Sequence, residues 1–171
     1  ITAVRVAGFV GEIVLSAVAL PPGLVQDLAW SPDGATLAFA HAAPTQPMGL
    51  FLWRAGQVRP AWAPPCELPV QDFSLVEWHG ADGRTVPGWL ALPPGPVPTA
   101  GHPAVVWVHG GPAAQARAAF RPDMQALLAQ GYAVLMPNVR GSTGSGRVAM
   151  ESDDQDRRLD AVHDLTAAAR W

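Results

Sequence analysis

The sequence predicts an α/β domain that follows an all-β segment, and two observations support this prediction. Up to about residue 68, short apolar runs recur roughly every ten residues with turn sequences between them, a pattern typical of a sandwich, barrel or propeller. After residue 103, continuous apolar runs alternate with helical patterns. This alternation indicates a parallel sheet covered by helices. We therefore expect one domain over residues 1–68 and a second over residues 70–171.

Three hairpins are predicted in the first half of the chain. The first turns at Ser31-Pro32-Asp33-Gly34, the second at Ala55-Gly56 and the third at Asp82-Gly83. Proline presets φ at the first inner position of a turn, and Asp-Gly tolerates positive φ. Because apolar runs flank each turn, each pair of runs is expected to form antiparallel strands.

Strands and helices alternate after the proline-rich stretch 93–103. Buried strands are predicted over 104–108 and 132–136, with a helix over 120–130 that ends at Gly131.

A second helix is predicted over 156–171. Its apolar stripe is expected to be the buried face and consists of Leu159, Val162, Thr166 and Ala169.

Composition and charge exclude several classes of protein. Apolar residues make up 49% and charged residues 15% of the chain, as in an ordinary soluble globular protein. The net charge of -3 argues against nucleic acid or anionic membrane as a partner, and no apolar run reaches the ~18 residues of a membrane span. With a single cysteine, Cys66, and no signal-peptide pattern, we expect a cytoplasmic protein. The chain starts at Ile1 and stops at Trp171 inside a helical pattern, which we interpret as a fragment of a longer parent.

The glycine pair in "VVWVHGGPAAQ" is the main functional candidate. His109-Gly110-Gly111-Pro112 directly follows a buried strand, so glycine N–H groups can approach a substrate without interference from side chains. Fixed N–H groups of this kind form an oxyanion hole, which stabilises the negative charge that develops on a carbonyl oxygen. A tight structural turn is the alternative interpretation.

Cofactor and metal motifs are not supported by the spacing. Gly141 and Gly146 have the spacing of a phosphate loop, but Arg147-Val148 follows where Lys and Ser or Thr are needed. His109 has no partner at ligand spacing, and the aspartates after residue 152 suit the start of a helix. We therefore expect no cofactor and no metal.

Three stretches together resemble the prolyl oligopeptidase family of serine peptidases, and most closely its acylaminoacyl peptidase and dipeptidyl aminopeptidase branch. They are "HPAVVWVHGGPAAQ", "LLAQGYAVLMPNVRGSTGSGR" and "DRRLDAVHDLTAAARW". The resemblance implies the last strands of a β-propeller over 1–68 and the N-terminal part of an α/β-hydrolase domain over 70–171. "AWSPDGATLAFA" resembles a propeller blade.

The resemblance also implies roles for particular residues. Gly111 would supply an oxyanion N–H, with Gly110 beside it. We expect a supporting loop formed by His109, Pro112, Asn138, Arg140 and Gly141. The family's nucleophile lies in a Gly-x-Ser-x-Gly elbow, which does not occur in this sequence; Ser142 and Ser145 lack that spacing. The catalytic Ser, Asp and His are therefore expected beyond Trp171, and the 171-residue chain alone is predicted to be inactive.

The implied activity is that of a serine-type peptidase that hydrolyses short peptides through an acyl-enzyme. Its expected partner is a peptide substrate, and assembly as a homo-oligomer is left open. Two alternatives remain: an esterase or lipase of the same fold, and a non-catalytic propeller-hydrolase interaction protein.

Overall fold

The computed structural model describes residues 3–10, 12–67, 69–111 and 113–171 of the chain. These residues are rich in strands and contain few helices. The chain divides into two compact units: one is Ile1–Val70 with Ala118–Arg121, and the other is Gln71–Arg117 with Pro122–Trp171. No helix in the described ranges is long and apolar enough to cross a membrane.

The described residues of the first unit form two antiparallel sheets. Strands β1 (Ala3–Val10) and β2 (Glu12–Ala19) form a pair. The other sheet joins four strands in chain order: β3 (Leu24–Trp30), β4 (Thr36–Ala43), β5 (Gln46–Arg54) and β6 (Gln57–Trp62).

The two hairpins predicted in this unit are present, and their turns have the expected chemistry. The Asp33 carboxylate accepts hydrogen bonds from the Ser31 hydroxyl and from the backbone N–H of Ala35. Ala55 and Gly56 both have positive φ, at +49° and +83°. Two successive residues with positive φ match the twist of the flanking strands, which explains why the turn between β5 and β6 needs only two residues.

The core of the first unit lies on one face of β4. Leu37 and Phe39 alternate inward and are almost fully buried. Phe39 stacks on Phe51 of the neighbouring strand, with ring centroids 6.0 Å apart. Alternation with a period of two residues places these side chains on the same face of the sheet, so this core is formed by pairs across the strands.

In the second unit, the described strands form a four-stranded mixed sheet with the order β7-β8-β10-β9. These strands are β7 (Ser74–His79), β8 (Thr85–Ala91), β9 (Ala104–Val106) and β10 (Ala133–Pro137). Of the four, only β9 and β10 pair in parallel. Strands β7 and β8 form the third predicted hairpin, and β8 also pairs antiparallel with β10. The parallel pairing expected of the two strands after residue 103 is therefore observed, and so is the antiparallel hairpin predicted before it.

The two central apolar strands differ in burial. Every residue of β10 is buried, as a strand with neighbours on both sides should be. Strand β9 is shorter than predicted and lies at the edge of the described sheet, with partly exposed side chains. Trp107 extends the pairing by one bond, since its N–H donates to the Leu135 carbonyl at 2.8 Å.

Three α-helices in the described ranges follow or separate these strands: α1 (Pro122–Ala129), α2 (Arg147–Met150) and α3 (Arg158–Arg170). Gly131 ends α1 as predicted, with φ of +89° and an N–H that donates to the Leu128 carbonyl. A short 3₁₀ turn, Gln155–Arg157, precedes α3.

The predicted buried face of α3 is wrong. Leu159, Val162, Thr166 and Ala169 are all exposed, whereas Asp164 and Ala168 are buried. The Asp164 carboxylate forms an ion pair with Arg140, and the small Ala168 packs in the core beside Trp78. This ion pair requires Asp164 to face the sheet, so the apolar stripe points away from it.

Candidate active site

Two loops leave the sheet of the second unit at the same edge. The glycine-pair loop, residues 109–117, follows β9, and the Arg-Gly-Ser loop, residues 138–146, follows β10. Because β9 and β10 are parallel neighbours, their carboxyl ends lie side by side. This edge is where open α/β sheets bind their ligands.

Gly111 has a backbone conformation that requires glycine. Its φ is +141°, and a Cβ at this position would lie 3.1 Å from the Ala113 nitrogen and 3.2 Å from Ala114. Gly110 differs, because a Cβ there would have no atom within 4 Å. Both glycines are exposed, and among the described residues the N–H of Gly111 has no hydrogen-bond partner. This N–H is therefore available to an acceptor from outside the loop.

Asn138 connects the two loops near the far end of the glycine-pair loop. Its side-chain oxygen accepts from the N–H of Ala116 at 2.7 Å, and its side-chain nitrogen donates to the Ala116 carbonyl at 3.1 Å. The N–H of Thr143 also donates to the Ala114 carbonyl at 2.8 Å. These bonds fix the end of the glycine-pair loop to the loop that follows β10.

His109 connects the two loops at the N-terminal end of the glycine-pair loop. Its Nδ1 lies 2.9 Å from the Gly110 carbonyl oxygen, and its Nε2 lies 3.0 Å from the hydroxyl oxygen of Ser142. Ser142 is buried, with 6% of its surface exposed. Its N–H donates to the Val139 carbonyl at 3.0 Å, so its position is fixed by the backbone as well.

The distance between Ser142 and His109 is that of a nucleophile–base pair, but the surroundings of the two side chains are not those that such a pair needs. A nucleophile must be reached by a substrate carbonyl, and the base beside it is ordinarily oriented by a further group such as a carboxylate. Ser142 is buried, and the other nitrogen of the His109 ring faces a backbone carbonyl instead of a carboxylate. We therefore assign this pair to the structure of the loops and not to bond cleavage.

Arg140 anchors the Arg-Gly-Ser loop to α3 and to the β7–β8 turn. Its guanidinium forms two bonds with the buried carboxylate of Asp164, at 2.8 and 2.7 Å, and it also contacts Asp82 at 2.9 Å and Asp160 at 3.3 Å. The hydrogen bonds to Asp164 are the main reason that the pKa of Arg140 is raised. A two-bond pair between Arg and a carboxylate fixes both position and direction.

Gly141 allows close packing beside Arg140. Its φ is +89°, and a Cβ at this position would overlap the carboxylate of Asp153. Its N–H donates to the Ala149 carbonyl at 3.0 Å. Glycine is therefore required here by both the conformation and the space.

A cavity of about 180 Å³ opens beside these loops. Its lining includes His109, Gly111 and Ser142 on the loop side, and Val108, Val162 and Leu165 on the apolar side. A larger cavity of about 580 Å³ lies between β7 and the end of α3, next to Trp78 and Trp171. The larger cavity does not include either loop, so we place the candidate site at the smaller one.

The structure brings together most of the residues predicted for the site. Five of them lie in the two loops as described above: His109, Gly110, Gly111, Asn138 and Gly141. Arg140 lies in the second loop, but its side chain points to α3. Pro112 lies outside the described residues. No group of three or more His, Cys, Asp or Glu side chains in the described part of the chain is arranged to hold a metal ion.

The sequence does not reveal the role of Ser142. Its neighbours in the sequence lack the spacing of a nucleophile elbow and indicate no other role. Its contact with His109 spans 33 positions and depends on the parallel pairing of β9 and β10. The sequence around Ser142 gives no indication that its hydroxyl contacts His109.

The curated relatives that are similar to this chain include proteins named as peptidases. No family model matches the chain. "Dipeptidyl peptidase family member 6" of Caenorhabditis elegans is 26% identical over 152 residues, which cover 74% of this chain and 20% of that protein. The "Uncharacterized peptidase YuxL" of Bacillus subtilis (strain 168) is 27% identical over 128 residues, covering 72% of this chain and 20% of the relative.

Solved structures of peptidases superpose on most of the chain. A puromycin hydrolase superposes with a TM-score of 0.80 at 25% identity, covering 94% of this chain and 25% of that one. A structure from a study of two prolyl endopeptidases gives a TM-score of 0.85 at 22% identity, with coverage of 98% and 25%. The acylaminoacyl peptidase of Pyrococcus horikoshii gives 0.75 at 21% identity, with coverage of 94% and 25%. The predicted resemblance to the prolyl oligopeptidase family is confirmed, and the chain spans a fifth to a quarter of the length of these relatives.

Proposed function

We propose that this chain is part of a serine-type peptidase of the prolyl oligopeptidase family, in which the N–H of Gly111 is one of two oxyanion donors. The observation that carries the proposal is the exposed Gly111 amide at the carboxyl end of β9. In the reaction, a serine attacks the carbonyl of a peptide bond, and the carbonyl oxygen becomes negatively charged. A fixed N–H that points at that oxygen lowers the barrier because the charge develops only in the transition state.

The remaining catalytic groups are proposed to come from other parts of the full-length protein. The sequence 1–171 contains no Gly-x-Ser-x-Gly elbow. The Ser nucleophile, the His base and the Asp that orients it would therefore lie beyond Trp171. The residue after the nucleophile would donate the second N–H to the oxyanion.

We further propose that residues 1–68 are the last strands of a β-propeller and that residues 70–171 begin an α/β-hydrolase domain. Two observations support this split. The first unit consists of antiparallel hairpins, and the second carries the glycine pair after a strand that has a parallel neighbour. The propeller would restrict access to short peptides.

For the substrate, we propose short peptides cleaved in an acylaminoacyl peptidase or dipeptidyl aminopeptidase mode. One relative is named as a dipeptidyl peptidase family member and one structural neighbour is an acylaminoacyl peptidase, and both names support this range. An esterase or lipase would use the same fold and oxyanion chemistry, but none of the similar proteins named above is one.

The full-length protein provides the test. We expect a fluorophosphonate probe to label one serine outside residues 1–171, and the protein to hydrolyse acetyl-aminoacyl or dipeptidyl nitroanilides faster than short-chain nitrophenyl esters. The matched control is the same protein with the labelled serine changed to alanine. Preferential ester hydrolysis would favour the esterase alternative. A folded protein with neither labelling nor turnover would favour the non-catalytic one.

A further inference from the structure

The larger cavity, between β7 and the end of α3, has the size of a small-molecule site. Its volume is about 580 Å³, which falls in the range of pockets that take small organic ligands. The end of β7, the turn after it and the C-terminal half of α3 form its walls. The described residues that line it are Trp78, His79, Gly80, Ala81, His163, Thr166, Ala167, Arg170 and Trp171.

Two tryptophans give this cavity an aromatic wall. The ring centroids of Trp78 and Trp171 are 5.8 Å apart, and the two rings are tilted by 32°. Trp78 is buried, whereas Trp171 is 59% exposed. Because the two rings already contact each other, a ligand would stack on the exposed side of Trp171. A wall of this kind favours a planar aromatic group.

The charged group in the lining is a cation. Arg170 forms no salt bridge with any of the described residues. His79 and His163 add ring nitrogens, and none of the described lining residues is Asp or Glu. A guanidinium presents its N–H donors in a fork that matches the two oxygens of a carboxylate. The lining therefore favours an anionic ligand, and a carboxylate in particular.

Three carboxylates near the lining do not cancel this preference. Arg140 binds those of Asp82, Asp160 and Asp164. Asp164 is buried and paired through two bonds, whereas Asp82 and Asp160 are about half exposed, so solvent screens their charges. Since charge interactions weaken with distance, direct contact with Arg170 would dominate the binding of an anion here.

Trp78 provides a further reason to expect an acceptor at this wall. Its Nε1 is buried and has no hydrogen-bond partner among the described residues. Buried polar groups in folded proteins nearly always have a partner. An indole N–H can only donate, so the group that satisfies it must be an acceptor, as a carboxylate oxygen is.

We propose that this cavity binds a small molecule that combines a planar aromatic ring with a carboxylate. The ring would stack on Trp171, and the carboxylate would accept from the guanidinium of Arg170. A free aromatic acid and the C-terminal aromatic residue of a peptide share this chemistry. The inference goes beyond the proposed function and does not depend on it, because neither the glycine-pair loop nor the Arg-Gly-Ser loop lines the cavity.

The test is calorimetric titration of the full-length protein with three related probes. Phenylacetate has both the ring and the charge, phenylacetamide keeps the ring without the charge, and acetate keeps the charge without the ring. We expect phenylacetate to bind, and the other two to bind at least about tenfold more weakly, because each lacks one of the two interactions. Phenylacetate should also raise the thermal midpoint.

A second titration distinguishes the two sources of the ligand. The tripeptide Ala-Ala-Phe is compared with its C-terminal amide, after treatment of the protein with a fluorophosphonate so that the peptide is not cleaved. Tighter binding of the tripeptide than of phenylacetate would identify a peptide C-terminus as the ligand. Tighter binding of phenylacetate would identify a free aromatic acid.

Variants locate the binding in this cavity. We expect Arg170→Gln and Trp171→Ala each to weaken phenylacetate binding by about tenfold, while Trp171→Phe keeps a ring and should retain most of the affinity. The matched control is Arg157→Gln, which makes the same charge change in the exposed turn before α3 and outside the cavity. Its affinity should equal that of the wild type.

Three results would overturn the inference. They are the absence of phenylacetate binding to the wild type, equal binding of phenylacetamide, and wild-type affinity in both Arg170→Gln and Trp171→Ala. None of these measurements uses turnover. A full-length protein that binds phenylacetate in this way but is neither labelled nor active would overturn the proposed function and leave the binding site standing.

Discussion

At the scale of single residues, the conformation of Gly111 gives the most direct prediction. We expect Gly111→Val in the full-length protein to lower kcat by about 10²–10³-fold, the usual effect of losing one oxyanion donor. A branched side chain would meet Ala113 and Ala114, and a φ of +141° is unfavourable for valine. The backbone would shift and take the N–H away from its position. Steady-state kinetics per titrated active site is the measurement.

Gly101→Val is the control for that variant. Gly101 also has positive φ, at +78°, but lies in an exposed loop with no atom within 4 Å of a Cβ. It should lower stability through backbone strain and leave kcat unchanged. If Gly111→Val keeps wild-type kcat in folded protein, Gly111 does not belong to the oxyanion hole.

A second residue-scale prediction concerns pH and Asp82. The N–H of Arg84, and after it the guanidinium of Arg140, hold the pKa of the Asp82 carboxyl below its ordinary value of 3.8. A lowered carboxyl pKa stabilises the folded state at pH values above 3.8, and this stabilisation is lost as pH falls through the folded pKa. Asp82→Asn should therefore lower the urea midpoint of the full-length protein at pH 7.

The difference in stability between wild type and Asp82→Asn should become smaller in acid and should not become larger. The gap between wild type and Asp82→Asn should stay constant down to about pH 5 and close as the pH falls below 3.8. Because Asp82 is half exposed, the gap should also shrink in high salt. A gap that widens in acid would show that the Asp82 contacts are misassigned.

The conformation of individual residues can be predicted from the sequence where it depends on a short local motif. The turn at Ser31–Gly34, the helix end at Gly131 and the glycine pair after β9 all follow from short motifs with a backbone requirement. The contacts of His109 and Asn138 do not, because they depend on which strands are neighbours. A loop residue shows its own conformational preference in the sequence, but not its partner 22 or 33 positions away.

At the scale of elements, α3 shows how a single ion pair can override a hydrophobic pattern. Apolar spacing predicted Leu159 and Val162 on the buried face, yet both are exposed. Asp164 is fully buried instead, where Arg140 pairs with it through two bonds. Periodicity alone cannot reveal this, because it treats an aspartate as a surface residue and has no information about a partner on another loop.

Removing the Arg140 side chain should therefore be costly. We expect Arg140→Met to lower the free energy of unfolding by about 3–5 kcal/mol, because Asp164 would remain buried without its counter-charge. The measurement is the apparent urea or thermal midpoint of the full-length protein.

A double variant separates charge from packing. Asp164→Asn removes the charge but keeps an oxygen that can accept from the backbone N–H of residue 140, as the Asp164 carboxylate does at 3.1 Å. Arg140→Met with Asp164→Asn should recover most of the stability lost in Arg140→Met alone. Additive losses in the double variant would contradict a buried charge as the cause.

At the scale of the whole molecule, the 171-residue chain alone should have no hydrolase activity. It lacks an elbow serine, and the serine of the Ser142–His109 pair is buried. We expect no fluorophosphonate labelling and no turnover of peptide nitroanilides or nitrophenyl esters by the purified chain. Mass spectrometry of the labelled chain is the decisive measurement, and a covalent adduct on Ser142 would falsify the structural assignment of that pair.

The isolated chain should also associate. Strand β9 has a neighbour on one side only among the described residues, and the apolar stripe of α3 is exposed. An open strand edge and an uncovered apolar face both recruit other chains. Light scattering should show oligomers or aggregates, and thermal unfolding should lack a single cooperative transition. A monodisperse monomer with one sharp transition would show that the 171 residues form a self-sufficient core.

The strand order of the second unit also determines when each strand can find its partner during synthesis. Strand β9 leaves the ribosome before β10, yet β10 is the only described partner that it pairs with, and β10 itself pairs with the earlier strand β8. The apolar segment "AVVWV" must therefore wait for about 30 more residues, or roughly 1.5–6 s at ordinary elongation rates. During that interval it is exposed on the nascent chain. Synonymous codons that slow translation between Trp107 and Ala133 would lengthen this exposure, and with it the demand for chaperones during biosynthesis.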